Sequence, residues 1–176
     1  MKRWFFTLAV ALFTLNFTFA DNPTQGTLCQ QGETVLFSCR LKDGKKIVSL
    51  CGSTSLTAAE GYLQYRFGEA GQVELEFPRQ RQETRKLFRY SHYFRYQVER
   101  TAVSFDNNGY RYTVFDNYEG DTQPKVQQQG VEITSPSAEQ KTRTLLCRGA
   151  AIGNLNSLSA IVPCDQDDPL NMGECR

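Results

Sequence analysis

The stretch Tyr62-Leu-Gln-Tyr-Arg-Phe67, Gly68-Glu-Ala-Gly71, Gln72-Val-Glu-Leu-Glu-Phe77 decides the fold class. Apolar and polar residues alternate on both sides of a glycine-bounded turn. This is the period of an extended strand, whose successive side chains point to opposite faces. The spacing predicts a hairpin with Leu63, Tyr65, Phe67, Val73, Leu75 and Phe77 facing inward. Gln64, Arg66, Glu74 and Glu76 then face outward, with Arg66 opposite Glu74 or Glu76 as a weak cross-strand pair.

The same grammar repeats along the chain. Thr34 to Cys39 and Lys46 to Cys51 flank Lys42-Asp43-Gly44-Lys45, and Asp-Gly is a hairpin turn. Their nearly unbroken apolar positions suit strands covered on both faces. Lys86 to Glu99 reads as one long strand, with Phe88, Tyr90, His92, Phe94, Tyr96 and Val98 on one face. Val103-Ser104-Phe105 and Tyr110 to Phe115 flank the turn Asp106-Asn107-Asn108-Gly109, then Asp116 to Gly130 reads as a polar, turn-rich stretch. Val131 to Thr134 and Thr142 to Cys147 supply two shorter strands, and Leu155, Leu158 and Ile161 allow one or two helical turns in the tail. The expected fold is all-β: an antiparallel meander of eight to nine short strands, closed as a barrel or folded as a sandwich. A membrane barrel does not fit, because most strands span about six residues and carry charged outer faces.

Met1 to Ala20 has the layout of a secretory signal peptide. Lys2 and Arg3 precede the apolar run Trp4 to Val10 with Leu12 and Phe13, and Thr18-Phe19-Ala20 supplies a small-residue cleavage pattern. The run is too short and too interrupted for a membrane span, which needs about 20 predominantly apolar residues, and no cysteine stands at the cleavage point for lipid attachment. The expected organisation is a cleaved leader (1–20), an antiparallel β domain (21–149) and a C-terminal tail (150–176). The expected address is the bacterial periplasm or the exterior. Removing the leader leaves 18 basic residues against 19 acidic ones, a net charge of −1.

Six cysteines in such a chain read as three disulfides, with fifteen possible pairings. Cys164 and Cys175 flank a short tail loop and pair naturally. Cys39 and Cys147 each end an apolar strand, which leaves Cys29 with Cys51. There is no CxxC and only one histidine, so no cofactor and no metal site is implied. Asp165, Asp167, Asp168, Asn171 and Glu174 offer oxygen ligands but lack the turn glycine and terminal bidentate glutamate of an EF-hand loop, so they read as a solvated acidic tail.

The segments Cys29-Gln-Gln-Gly-Glu-Thr-Val-Leu-Phe-Ser-Cys39, Lys45-Lys-Ile-Val-Ser-Leu-Cys51, Gly61-Tyr-Leu-Gln-Tyr-Arg-Phe-Gly68 and Asn108-Gly-Tyr-Arg-Tyr-Thr-Val-Phe115, with the late Cys147, resemble a family of small exported bacterial β proteins. That resemblance implies a fold and an address and no activity. In plan the chain is also similar to periplasmic lysozyme inhibitors of the MliC/PliC type, although their Ser-Gly-rich inhibitory loop has no clear counterpart here.

The strongest functional signal is charge placement. Arg79, Arg81, Arg85, Lys86, Arg89, Arg95 and Arg100 stand against Glu83 and Glu99 alone, a local +5 within a chain of net −1. Alternation puts Arg89, Ser91, Tyr93 and Arg95 on one outer face, with Arg79, Arg81 and Arg85 just before it. Arginine and tyrosine are residue types favoured at binding hot spots. The expected function is a non-catalytic extracytoplasmic binding protein that presents this face to an anionic envelope protein or glycan, for instance by inhibiting a cell-wall hydrolase. Nucleic acid is a poor partner at this net charge and address. His92, flanked by Tyr90 and Phe94 on its face, reads as a core histidine bonded to a tyrosine or a backbone carbonyl. Glu74 with Glu76 lies on an outer face, a poor place for glycosidase chemistry. A cell-wall hydrolase using other carboxylates and a structural subunit of an envelope assembly are the alternatives.

Overall fold

The computed structural model describes residues 26–137, 141–171 and Cys175. The expected leader and the start of the mature chain lie outside the described residues. Ten strands form: β1 (Glu33–Arg40), β2 (Ile47–Ser53), β3 (Leu63–Glu69), β4 (Gln72–Phe77), β5 (Arg89–Arg95), β6 (Val98–Asn107), β7 (Tyr110–Glu119), β8 (Val126–Thr134), β9 (Thr142–Leu146) and β10 (Ile152–Gly153). They build two five-stranded antiparallel sheets, ordered β10-β1-β2-β3-β4 and β5-β6-β7-β8-β9, and neither closes on itself. Short 3-10 helices span Thr84–Leu87, Leu155–Leu158 and Pro169–Asn171. Among the described residues no helix is long and apolar enough to cross a membrane.

The core lies between the sheets. Leu50, Leu63 and Tyr65 of the first sheet meet Val103, Phe105, Val114 and Val131 of the second, with Leu155, Leu158 and Val162 of the tail. Phe105 is the hub of an aromatic cluster, its ring centroid 4.5 Å from Phe77, 4.9 Å from Tyr65 and 5.0 Å from Tyr112. Three disulfides, Cys29–Cys51, Cys39–Cys147 and Cys164–Cys175, are those read from the sequence. The Cys39–Cys147 bond staples the first sheet to the end of β9, where Leu41 also bridges to Cys147.

Two expectations need correction. The strand expected from Lys86 to Glu99 is broken: Thr84–Leu87 is a 3-10 turn, β5 ends at Arg95, and Tyr96-Gln97 turns the chain into β6. Gln97 occupies the left-handed region at φ 62°, where glycine or asparagine is the usual marker. The outer face of the first sheet is also solvated only in part: Glu74 stays exposed as expected, but its β3 neighbours do not. Gln64 and Arg66 are each only 1% exposed, because residues 26–32 cross over that face. The crossing segment is tied down by Cys29–Cys51, by the Ser38 hydroxyl donating to the Gly26 carbonyl (2.7 Å) and by the Leu28 N–H donating to Ser49 Oγ (2.9 Å). Beneath it, Arg66 donates to Glu76 (2.8 Å), to Glu33 (2.9 Å) and to Gln64 (2.7 Å). The cross-strand pair with Glu76 forms as the alternation predicts, but within a buried network.

Candidate functional site

The second sheet changes character along its length. In register, Tyr90, Val103, Val114, Val131 and Leu145 form a wholly apolar rung of the inner face. The next rung outward is His92, Thr101, Asp116 and Gln129, and the one beyond it is Phe94, Glu99, Tyr118 and Gln127. β6 and β7 run ten residues each, longer than the strands of the first sheet, and their polar ends extend the inner face past the apolar core. There the 3-10 helix Leu155–Leu158, entered through Asn154, buries Leu155 and Leu158 and leaves Asn154 and Asn156 at the edge of the polar rungs. The result is a concavity of about 220 Å³ lined by Glu99, Thr101, Asp116, Tyr118, Asn154 and Asn156.

Its side chains are held by one another. Asn156 Oδ1 accepts from Thr101 Oγ1 (2.6 Å) and from the Tyr90 hydroxyl (3.3 Å), and Asn156 Nδ2 donates to Glu99 Oε1 (2.7 Å). The same carboxylate oxygen lies 3.0 Å from His92 Nε2. Asp116 accepts from Gln127 on one oxygen and from Gln129 on the other (2.8 Å). Gln129 in turn accepts from the Ala151 N–H (2.8 Å), which ties the tail to the rung. Burial pushes the Tyr90 hydroxyl up to about 12, with the nearby Glu99 charge acting the same way, so Tyr90 stays a neutral donor.

His92 is therefore not the core histidine expected. Its side chain is 34% exposed and its partner is a carboxylate, because the inner face has already turned polar at its rung. The sequence hid this site by presenting Asp116 to Gly130 as a turn-rich stretch. β7 in fact continues to Glu119, and β8 begins at Val126. The available signal was mirror symmetry: polar inner positions precede Val103, follow Val114 and precede Val131 at matching distances.

The basic segment is dispersed rather than gathered. Arg85 is buried and donates to the carbonyls of Thr57 (2.8 Å), Glu60 (2.8 Å) and Ala59 (3.2 Å), closing a loop from inside. Ser91 is buried beneath the tail and donates to Asp168 (2.7 Å). Neither belongs to an exposed face. Arg81 lies over the Tyr62 ring and donates to Gln64 (3.1 Å) and Gln30 (2.7 Å). Arg89 is exposed and donates to the carbonyls of Lys86 (2.7 Å) and Phe88 (2.9 Å). Arg79 is exposed in the loop after β4.

Only Tyr93 and Arg95 come together as expected, joined by Arg100, which the register places opposite Tyr93. With Val98, Pro169 and Leu170 they line an open groove of about 500 Å³ on the outer face. Arg95 pairs with Asp121 (2.7 Å) and Arg100 with Glu119 (2.9 Å). The hydrogen bond from Arg95 holds the Asp121 carboxyl below its ordinary range. Beyond the groove, at the turn of the β5–β6 hairpin, Phe94 is 69% and Tyr96 82% exposed. The acidic tail is not simply solvated either: Asp165 is buried and accepts from Arg111 and from Ser104 (3.4 Å).

Comparison with known proteins finds no matching family model, no matching curated protein and no matching solved structure.

Proposed function

We propose that the chain is an extracytoplasmic, non-catalytic binding protein that contacts an envelope partner through its β5–β6 hairpin. The observation that supports this most is the pair of large aromatic side chains, Phe94 and Tyr96, left exposed on either side of Arg95 at the hairpin turn. Tyrosine and arginine are enriched at interface hot spots, where a rigid planar group is desolvated at little entropic cost. The Arg95–Asp121 pair is half exposed, and such pairs contribute little to stability. A carboxylate or phosphate on the partner can therefore replace Asp121 without disturbing the fold. The three disulfides fit an oxidising compartment.

The test is capture of partners from an envelope extract by the oxidised protein, beside an Arg95→Ala, Tyr96→Ala double variant. The expected result is an unchanged melting temperature with capture lost, since surface substitutions usually change stability by within about 0.5 kcal/mol. Capture unaffected at low and physiological salt would overturn the hairpin contact.

A glycan hydrolase is the second reading, favoured by one observation: Glu99 and Asp116 line the same concavity. It requires turnover of a glycan that Glu99→Gln or Asp116→Asn abolishes while leaving the fold intact.

A further inference from the structure

We propose that the concavity on the inner face of the second sheet is a binding site for one ring of a polyhydroxylated ligand, a sugar unit of an envelope glycan. The inference rests on the reading of the chain as a binding protein but not on the hairpin contact, which uses other residues. The lining selects the ligand by elimination. Amides, carboxylates and a hydroxyl dominate it, so an apolar molecule would leave those groups unpaired on binding. Glu99 and Asp116 repel an anion. Amide donors from Asn156, Gln127 and Gln129 already occupy both carboxylates, and among the described residues no group of three metal-type ligands gathers here.

What remains is a neutral ligand that both donates and accepts hydrogen bonds. A hydroxyl donates once and accepts through two lone pairs, whereas an amide side chain offers both roles side by side. Asn156 has one amide hydrogen beyond its bond to Glu99, and Asp116 retains lone pairs beyond its two glutamine donors. Tyr118 adds an aromatic side chain to the lining. It is set against Gly120, where an added Cβ would come within 2.6 Å of the hydroxyl and 2.8 Å of the ring, so this position favours a residue with no side chain. The polar groups are thus fixed before any ligand arrives, which lowers the entropic cost of binding. At about 220 Å³ the concavity is smaller than the roughly 300–1,000 Å³ of a drug-sized pocket, which suits a single ring.

The probes are three tetrasaccharides: β-1,4-linked N-acetylglucosamine, β-1,4-linked glucose and α-1,4-linked glucose. Each is titrated into the full, oxidised protein and followed by calorimetry and by the shifts of backbone amides. Saturable binding of at least one is expected, with shifts confined to the start of β6, the end of β7, the start of β8 and Asn154 to Asn156. Gln127→Ala and Tyr118→Ala should each weaken it by about tenfold, the order of a lost hydrogen bond or ring contact. Gln127 is exposed, so that variant should keep its melting temperature and report on the site rather than on folding. No binding of any probe up to about 10 mM, where even weak sites register, would overturn the proposal. Affinity indifferent to both substitutions would overturn it as well. Release of shorter products from a bound probe would replace it with the hydrolase. Sugar binding that survives in the Arg95→Ala, Tyr96→Ala variant supports two separate sites. Failure of the wild type to capture any envelope partner, with sugar binding intact, would remove the hairpin contact alone.

Discussion

The guanidinium of Arg66 joins three parts of the chain that are distant in sequence: Glu76 on the neighbouring strand, Glu33 at the start of β1 and the Leu28 carbonyl of the crossing segment. Burial pushes the Glu33 carboxyl up. Hydrogen bonds from Arg66 and from the Gln30 N–H, the guanidinium charge and the Tyr62 hydroxyl outweigh that and hold it below its ordinary value of 4.5. A carboxyl depressed in the folded state stabilises fully above its unfolded value, and that contribution disappears as pH falls through the folded one. The melting temperature should therefore drop on acidification below about pH 4.5, and the drop should be shallower in Glu33→Gln. Removing the carboxylate outright, Glu33→Ala, leaves the buried arginine short of a partner and should cost about 3–5 kcal/mol by denaturant titration. On the same strand, the hydroxyl of the neighbouring Tyr65 is buried on the opposite face with no hydrogen-bond partner among the described residues. Tyr65→Phe keeps the ring contacts with Phe105 and Tyr112 and removes an unpaired polar group, so it should stabilise the protein by about 1 kcal/mol. Alternation in the sequence was enough to put Arg66 and Tyr65 on opposite faces. It could not show that residues 26–32 fold back over Arg66, because a covering segment leaves no period in the strand it covers.

Turn chemistry decided which elements were legible. Asn108-Gly109 announces its hairpin because both residues take positive φ, 51° and 81°, the pattern that asparagine and glycine supply. Tyr96-Gln97 makes the same kind of reversal without either marker, so β5 and the start of β6 read as one strand. Gln97 pays a local penalty there, and β-branched substitution should raise it. Gln97→Val is expected to lose about 1–2 kcal/mol in thermal denaturation, whereas Gln97→Gly and Gln97→Asn should hold or gain stability. The polar ends of β7 and β8 were hidden for a different reason. An inner-face position is recognised by its apolar residue, and where that face leaves the core the signal vanishes while the hydrogen-bonded ladder continues. The concavity lies in that blind stretch, whereas the charged residues that suggested a site are divided: Arg81 and Arg85 brace the fold, and Arg95 stays on the outer groove.

On the scale of the whole molecule, the two sheets are held by a shared core and by one disulfide between them, and the disulfides differ widely in span. Cys39–Cys147 closes a separation of 108 residues and Cys164–Cys175 one of 11. In the chain-entropy account these are worth about 5 and about 3 kcal/mol. The Cys39→Ser, Cys147→Ser variant should therefore lose more stability in chemical denaturation than the Cys164→Ser, Cys175→Ser variant; the reverse order would mean that strain or denatured-state structure outweighs loop length. The tail adds its own support: on β5's free edge the Tyr90 N–H donates to the Pro163 carbonyl and the Tyr90 carbonyl accepts from the Asp165 N–H, either side of the Tyr90–Cys164 bridge. The order of the cysteines along the chain has a further consequence. Cys39 lies between Cys29 and Cys51, which bond to each other, while its own partner arrives more than a hundred residues later. An oxidant that meets the polypeptide from its amino end finds Cys29 and Cys39 first, and joining those neighbours is an error that only thiol exchange can undo. Where that error forms, a catalyst that shuffles disulfides should raise the yield of the native form more than a stronger oxidant does.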